Sequence, residues 1–204
     1  MTCWVRGVHR RVVLTLLLVA LAPLPCFAQG AGDVFGAACR AEVEGDHATA
    51  FGLYQEAAEE GIREAMFALG RYYRDGLASA PDEGAAFAWF REAAERGHAL
   101  ARYEVGVAYR DGVGTQEDRD LARQWLEAAA LRHGPAAFAV FELETAPEEK
   151  GAWLLQAARL GDRTAMSKLA RAYAEGDYGF AVSRVKSRSW RAKAEAVAAQ
   201  EAQR

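Results

Sequence analysis

The stretch Ala65–Gly97, AMFALGRYYRDGLASAPDEGAAFAWFREAAERG, decides the fold because the chain repeats its pattern 36 residues later. Ten positions recur at this step without a register slip. Ala65, Gly70, Tyr73, Asp75, Gly76, Asp82, Ala86, Trp89, Ala93 and Ala94 return as Ala101, Gly106, Tyr109, Asp111, Gly112, Asp118, Ala122, Trp125, Ala129 and Ala130. A repeat of this length indicates a solenoid of stacked supersecondary units.

The first half of each unit has the pattern of a helix. Residues 63–74 place Ala65, Leu69 and Tyr73 on one apolar face at helical spacing. A glycine inside a helix costs about 1 kcal/mol relative to alanine. Gly70 therefore predicts that a neighbouring helix passes too close for a side chain.

The second half of each unit has the pattern of another helix. Gly76 is expected to end the first helix in the left-handed conformation, which glycine adopts at low cost. Asp82 and Asp118 stand where an N-cap is needed. We predict that Trp89 and Trp125 are the large side chains that fill the space between adjacent units.

These residues resemble the Sel-1-like repeat family, a relative of the tetratricopeptide repeat, with the pattern A-x-x-x-L-G-x-x-Y-x-x-G-x-G-V, then D, then W-x-x-x-A-A-x-x-G. The stretch Ala101–Ala130 matches it with Val105 in the leucine place, and the unit from Ala65 departs from it only in its loop, at residues 77–79. The resemblance covers nearly all of the chain after residue 32. It implies an all-α, right-handed α/α solenoid of about five helix-turn-helix units.

The units outside the two good copies are degenerate. We expect a single solenoid over residues 29–204. Its predicted units are a degenerate first unit at 33–61, units near 62–97 and 98–134, a shortened unit at 135–161, and a last unit at 162–204 with a C-terminal capping helix. Terminal units of solenoids are commonly atypical.

Residues 1–28 have the pattern of a secretory signal peptide. Three arginines precede the apolar run Val12–Ala22, and small residues at Cys26 and Ala28 suit cleavage after Ala28. The run is too short to span a bilayer, so no stable membrane span is expected after cleavage. An uncleaved anchor, a twin-arginine signal and a lipoprotein are weaker alternatives. The sequence therefore predicts a periplasmic or secreted protein.

Composition narrows the function further. The formal net charge is −3, and the chain after the predicted signal is mildly acidic, which argues against a nucleic-acid partner. Cys39 is the one cysteine after residue 28, so the mature chain cannot form an internal disulfide. Its alanine-rich surroundings favour burial, and pairing between two chains is the alternative.

The first helices should line a concave groove, as the resemblance to tetratricopeptide repeats implies. Side chains outside the packing pattern would point into it. The candidate protein-binding residues are Phe67, Arg71, Arg74, Tyr103, Val107, Arg110 and Arg171. Arginine and tyrosine dominate interface energetics, so this stripe would suit an extended peptide or a helix bearing acidic groups. Alternatively, Arg74 and Arg110 only stabilise the helix dipole.

The sequence shows no pattern typical of a catalytic, metal-binding or cofactor-binding site. His98 and His133 follow two second helices, but no His/Cys cluster supplies further ligands, so we expect solvated turns and no metal site. We find no nucleophile motif, phosphate loop or cofactor fingerprint, and predict no catalytic residue and no cofactor. The basic run Arg184–Lys193 would contact anionic phospholipid headgroups or an acidic partner, or simply be a solvated helix start.

The sequence thus predicts a non-enzymatic, exported adaptor or regulator in the cell envelope, with another protein or peptide as its partner. One alternative is a β-lactamase-like or penicillin-binding hydrolase, as described for cysteine-rich members of the family. This chain differs from that subgroup because its units lack the Cys pair. The other alternative is a self-assembling structural protein of the envelope, joined through Cys39.

Overall fold

The computed structural model describes residues 31–203, and within them it contains ten α-helices and no strand. The helices are α1 Ala31–Glu44, α2 His47–Glu59, α3 Arg63–Asp75, α4 Glu83–Glu95, α5 Ala99–Asp111, α6 Arg119–Ala130, α7 Gly134–Leu143, α8 Pro147–Arg159, α9 Arg163–Glu175 and α10 Arg184–Glu201. None of these helices is both long and apolar enough to cross a bilayer. The predicted export signal, residues 1–28, lies outside the described residues.

The helices form a stack of five pairs, and each helix packs against the next one along the chain. Ion pairs join neighbouring odd-numbered helices, α1 to α3, α3 to α5 and α5 to α7. Even-numbered helices also meet across units, since Gln156 of α8 donates a hydrogen bond to the carbonyl of Ala130 in α6. This two-layer stack confirms the predicted all-α solenoid.

The helix boundaries follow the predicted capping residues. Gly76 and Gly112 end α3 and α5 with φ angles of 66° and 69°, in the left-handed region. The side chains of Asp82 and Asp118 cap α4 and α6 by accepting hydrogen bonds from backbone N–H groups in the first turn. Pro147 opens α8, where its missing N–H costs nothing.

The glycines inside α3 and α5 mark the closest approach between paired helices. A Cβ atom on Gly70 would lie 2.5 Å from the ring of Phe90, and one on Gly106 would lie 2.6 Å from the Cγ of Leu126. Both distances are shorter than atoms tolerate. The prediction that a neighbouring helix excludes a side chain at Gly70 is confirmed.

Trp89 and Trp125 pack against the hydrophobic core but are not the most buried side chains of their helices. Trp89 and Trp125 are only half-buried, whereas the residues that follow them, Phe90 and Leu126, are 4% and 0% exposed. Phe90 stands four residues after the buried Ala86, one turn further along the same face, and Trp89 lies at the edge of that face. The tryptophans are thus partly buried against the core, and Trp89 lies beside Ala58 of the preceding unit, whereas Phe90 and Leu126 pack inside their own units against Gly70 and Gly106.

In the shortened unit, the buried carboxylate of Glu144 organises the short connection between α7 and α8. In the complete unit, the loop after α5 packs so closely on α4 that a Cβ on Gly114 would lie 2.1 Å from the carbonyl oxygen of Glu83. The shortened unit has no such loop. There, Glu144, 5% exposed, accepts hydrogen bonds from Arg123 of α6 and from the next two backbone N–H groups. The backbone hydrogen bonds, helped by Arg123, hold the pKa of Glu144 below its usual range.

Candidate functional site

The predicted groove residues all lie on odd-numbered helices. Phe67, Arg71 and Arg74 are on α3, Tyr103, Val107 and Arg110 are on α5, and Arg171 is on α9. The structure places the first six on adjacent helices of one layer. Arg171 lies two units away, where its guanidinium pairs with Glu175 of the same helix at 3.0 Å.

The arginines of α3 and α5 form ion pairs with the neighbouring odd-numbered helices. The pairs are Arg71 with Glu42 at 3.2 Å, Arg74 with Glu104 at 3.2 Å, and Arg110 with Glu142 at 3.4 Å. We call these six residues the ion-pair ladder. Each arginine charge therefore has a carboxylate partner from an adjacent unit, so the ladder presents mixed charge and no open cationic stripe.

The N-terminal end of the ladder is tied to a buried tyrosine. The hydroxyl of Tyr54 donates to Glu42 at 2.5 Å and lies 3.6 Å from the sulfur of Cys39. Burial, together with the Glu42 hydrogen bond, raises the pKa of Tyr54 well above its ordinary value. Cys39 was expected to be buried, but it is only half-buried. It lies on α1 beside the exposed Val43.

Phe67 and Tyr103 contact the histidines that begin the next odd-numbered helices. Phe67 stacks on His98 with ring centroids 4.4 Å apart, and Tyr103 meets the edge of His133 at 4.8 Å. His98 also caps α5, since its Nδ1 accepts from the backbone N–H of Ala101 at 3.1 Å. Burial lowers the pKa of both histidines. The expectation that they lie in solvated turns is wrong, because aromatic side chains cover them.

A largely apolar cleft opens between α3, α4, α5 and the loop after α5. Its volume is about 140 Å³. The apolar lining consists of Ala86, Phe87, Phe90, Val107, Ala108 and Val113, and the charged lining consists of Arg74, Glu83 and Glu104. We call it the α3–α5 cleft. The Arg74 guanidinium pairs with Glu104 and lies 5.7 Å from the centre of the Phe90 ring, so it is fixed at the cleft.

Only part of this cleft was predictable from the sequence. Arg74 and Val107 are among the predicted groove residues, but Phe87 and Val113 are not, because the groove was predicted from first helices alone. The available signal was Phe87, an aromatic side chain at the position that Arg123 occupies in the next unit. An aromatic residue at a position that the repeat pattern does not require points to a local role.

The described part of the chain offers no arrangement suited to a metal ion. No group of three or more His, Cys, Asp and Glu side chains within it could hold one. The carboxylates near the cleft are instead engaged by arginine, as Glu104 is by Arg74. The cleft therefore presents one fixed ion pair beside apolar walls.

The sequence profile of the Sel1 repeat matches residues 36–62, 63–98, 99–133, 152–162 and 164–194. No curated protein sequence matches the chain. Its structure is similar to that of a Sel1 repeat protein from Oxalobacter formigenes, with a TM-score of 0.75 and 23% identity over 85% of this chain and 73% of that one. It is also similar to c5321, a protective antigen with an SLR fold from uropathogenic Escherichia coli, with a TM-score of 0.73 and 23% identity over 82% of this chain and 38% of that one.

Proposed function

The chain belongs to the Sel1 repeat family, whose members are generally protein-interaction scaffolds, and we propose that it binds a partner protein or peptide through the α3–α5 cleft. The observation that carries the proposal is the cleft itself, with Phe87, Val107 and Val113 on its walls. Its volume is below the roughly 300–1,000 Å³ of small-molecule pockets. A single apolar anchor side chain from a protein partner suits such a space.

The charges around the cleft define the kind of partner. Because Arg74 is paired with Glu104, a purely acidic peptide would have to compete with a carboxylate already in place. A partner with an apolar anchor beside one basic and one acidic group matches the surface better, since it complements both charges. This refines the acidic partner that the sequence suggested.

The protein is proposed to act outside the cytoplasm, in the periplasm or beyond it. The support is the signal-like pattern of residues 1–28, with its arginines and its short apolar run. The adaptor role in the cell envelope belongs to the same proposal. Fractionation of cells that express the full chain with a C-terminal tag tests this part separately from binding.

The binding proposal is tested by capturing proteins from an envelope extract with three baits. The baits are the wild-type protein, Val107→Asp, which puts a charge into the cleft, and Val43→Asp, which makes the same change at a valine that is 88% exposed on α1. We expect a partner that wild type and Val43→Asp retain and Val107→Asp loses. A partner retained equally by all three baits would contradict the cleft as its site. Helical circular dichroism checks that the baits are folded.

The ion-pair ladder is tested independently. The double variant Arg71→Ala/Arg110→Ala removes the ion pairs with Glu42 and Glu142, and neither arginine lines the cleft. We expect weaker partner capture with helical circular dichroism and melting close to wild type. If capture by the double variant is unchanged, the ladder only joins units and the partner does not contact it.

A further inference from the structure

We infer that the outer face of α10 is a binding surface for anionic phospholipid bilayers. The five cations of its first ten residues, Arg184, Lys186, Arg188, Arg191 and Lys193, are all exposed. No carboxylate lies between Asp177 and Glu195 in the sequence. The inference concerns a different face from the α3–α5 cleft and does not depend on the function proposed for that cleft.

Most arginines elsewhere in the solenoid are paired, unlike the cations of α10. Nine of the 14 arginines between residues 33 and 183 form ion pairs with carboxylates: Arg63, Arg71, Arg74, Arg91, Arg96, Arg110, Arg123, Arg163 and Arg171. Within residues 33–203, no ion pair involves any of the five cations on α10. Four of the five cations have no carboxylate one turn away on α10, and Glu195, one turn after Arg191, forms no ion pair with it.

The cations lie in two rows along the helix. Arg184, Arg188 and Arg191 are spaced four and three residues apart, which places them on one side of α10. Lys186 and Lys193 lie on the other side. Their ammonium groups stand 5.0 Å from the ring centre of Tyr173 and 4.1 Å from that of Trp190. Both rows thus flank the outward face of the helix, although the Tyr173 ring draws the ammonium of Lys186 toward α9.

A ridge of small uncharged side chains separates the two rows. Its members share the spacing of one helix face and are all exposed: Val185, Ser189, Ala192, Ala196 and Ala199. The buried Ser187 and Ala194 lie on the opposite face, toward α9. Val185 is 80% exposed and Val182, just before the helix, is 64% exposed. Only Val185 of the two lies between the rows, and a weakly apolar ridge flanked by cations suits a helix that lies on a membrane surface.

The shape of this face favours a bilayer over an acidic protein. The two rows lie on opposite flanks of the ridge, so both meet headgroups when the ridge, with Val185, sinks toward the acyl boundary. The rows extend about 14 Å from Arg184 to Lys193 at about 1.5 Å per residue. The exposed apolar area is small, so attraction to anionic headgroups provides most of the affinity and rising salt weakens it.

The test is sedimentation of the purified protein with phosphatidylcholine vesicles that contain or lack phosphatidylglycerol. Arg184→Gln/Arg188→Gln/Arg191→Gln removes the arginine row. A control with the same loss of charge, Arg119→Gln/Arg132→Gln/Arg159→Gln, changes exposed arginines of other parts of the solenoid. Residues 1–28 are identical in all proteins, so any membrane affinity of that segment is a constant background.

We expect phosphatidylglycerol to increase binding of wild type and of the control, and the increase to disappear at high salt. The row variant should lose roughly 100-fold in partition coefficient, which corresponds to about 1 kcal/mol for each of three cations. Equal binding by the row variant and the control would overturn the inference. Row-dependent binding to soluble poly-glutamate, with no response to phosphatidylglycerol, would also overturn it and identify an acidic protein as the ligand.

Discussion

Gly70→Ala tests the helix packing on which the whole solenoid depends. The new Cβ would lie 2.5 Å from ring atoms of Phe90, a ring that is 4% exposed and has little room to move. Overpacking of this kind costs about 1–3 kcal/mol, while alanine gains about 1 kcal/mol of helix propensity over glycine. The net expectation is a loss of roughly 0–2 kcal/mol in the free energy of unfolding.

Gly52→Ala is the matched control, because Gly52 lies inside α2 and nothing stands within 4 Å of its would-be Cβ. This variant should gain stability by about 1 kcal/mol from helix propensity alone. The difference between the two substitutions, about 1–3 kcal/mol, then isolates the crowding cost against Phe90. Urea denaturation measures both variants, with unchanged m values as the check that midpoints reflect stability.

The effect of Gly70→Ala on the free energy of unfolding should change sign in a Phe90→Val background. Phe90→Val removes the ring atoms that the added Cβ would meet, so Gly70→Ala should become stabilising there. Equal effects of Gly70→Ala and Gly52→Ala in the wild-type background would refute the close approach of α3 and α4. So would a Gly70→Ala cost that stays the same after Phe90→Val.

Three further predictions follow from packing and titration. Leu126→Ala should cost about 2–5 kcal/mol as a fully buried deletion, and Trp125→Ala, at a partly buried side chain, should cost less than the roughly 3–5 kcal/mol typical of a buried tryptophan. Urea denaturation measures both, and a loss below about 1 kcal/mol for Leu126→Ala would refute its buried place against Gly106. Folding lowers the pKa of His98, so the neutral imidazole stabilises the folded state fully above about pH 6.5, and this stabilisation is lost as the pH falls through the pKa of the folded state. The melting temperature of His98→Asn should therefore change less than that of wild type between about pH 7.5 and 5.5. Glu144→Gln should lower the melting temperature most at neutral pH, and the gap to wild type should close as the pH falls below about 4.5, since the folded carboxylate has a depressed pKa; a gap independent of pH would mean that the charge does not matter.

The repeat made the architecture predictable because it exposes the backbone requirements of the fold. Gly70 and Gly76 recur at the step of 36 as Gly106 and Gly112, and Asp82 recurs as Asp118. Gly70 allows the close approach of a neighbouring helix, Gly76 allows a left-handed helix end, and Asp82 caps the next helix. These constraints are local, so the sequence states them directly. The choice between Trp89 and Phe90 as the buried side chain depends on a rotation of about 100° around the helix axis, which the repeat pattern does not fix.

The candidate site was less predictable because its contacts join residues far apart in the chain. Arg74 pairs with Glu104 in the next unit, whereas Arg71 pairs with Glu42 in the previous one. No fixed step relates each arginine to its carboxylate, so the sequence showed a row of cations and not a ladder. The cleft wall formed by Phe87 belongs to the second helix of its unit, whereas the predicted groove residues all lie on first helices.

The most direct test of partner binding at the α3–α5 cleft is site-specific photo-crosslinking in cells. A photoreactive amino acid replaces Val113, which lines the cleft and is 43% exposed, or Leu131, which is 74% exposed at the end of α6. The proposed function predicts a discrete crosslinked band from position 113, absent from position 131 and lost when Val107→Asp is added. A partner crosslinked from position 131 but never from position 113 would contradict the cleft as the binding site.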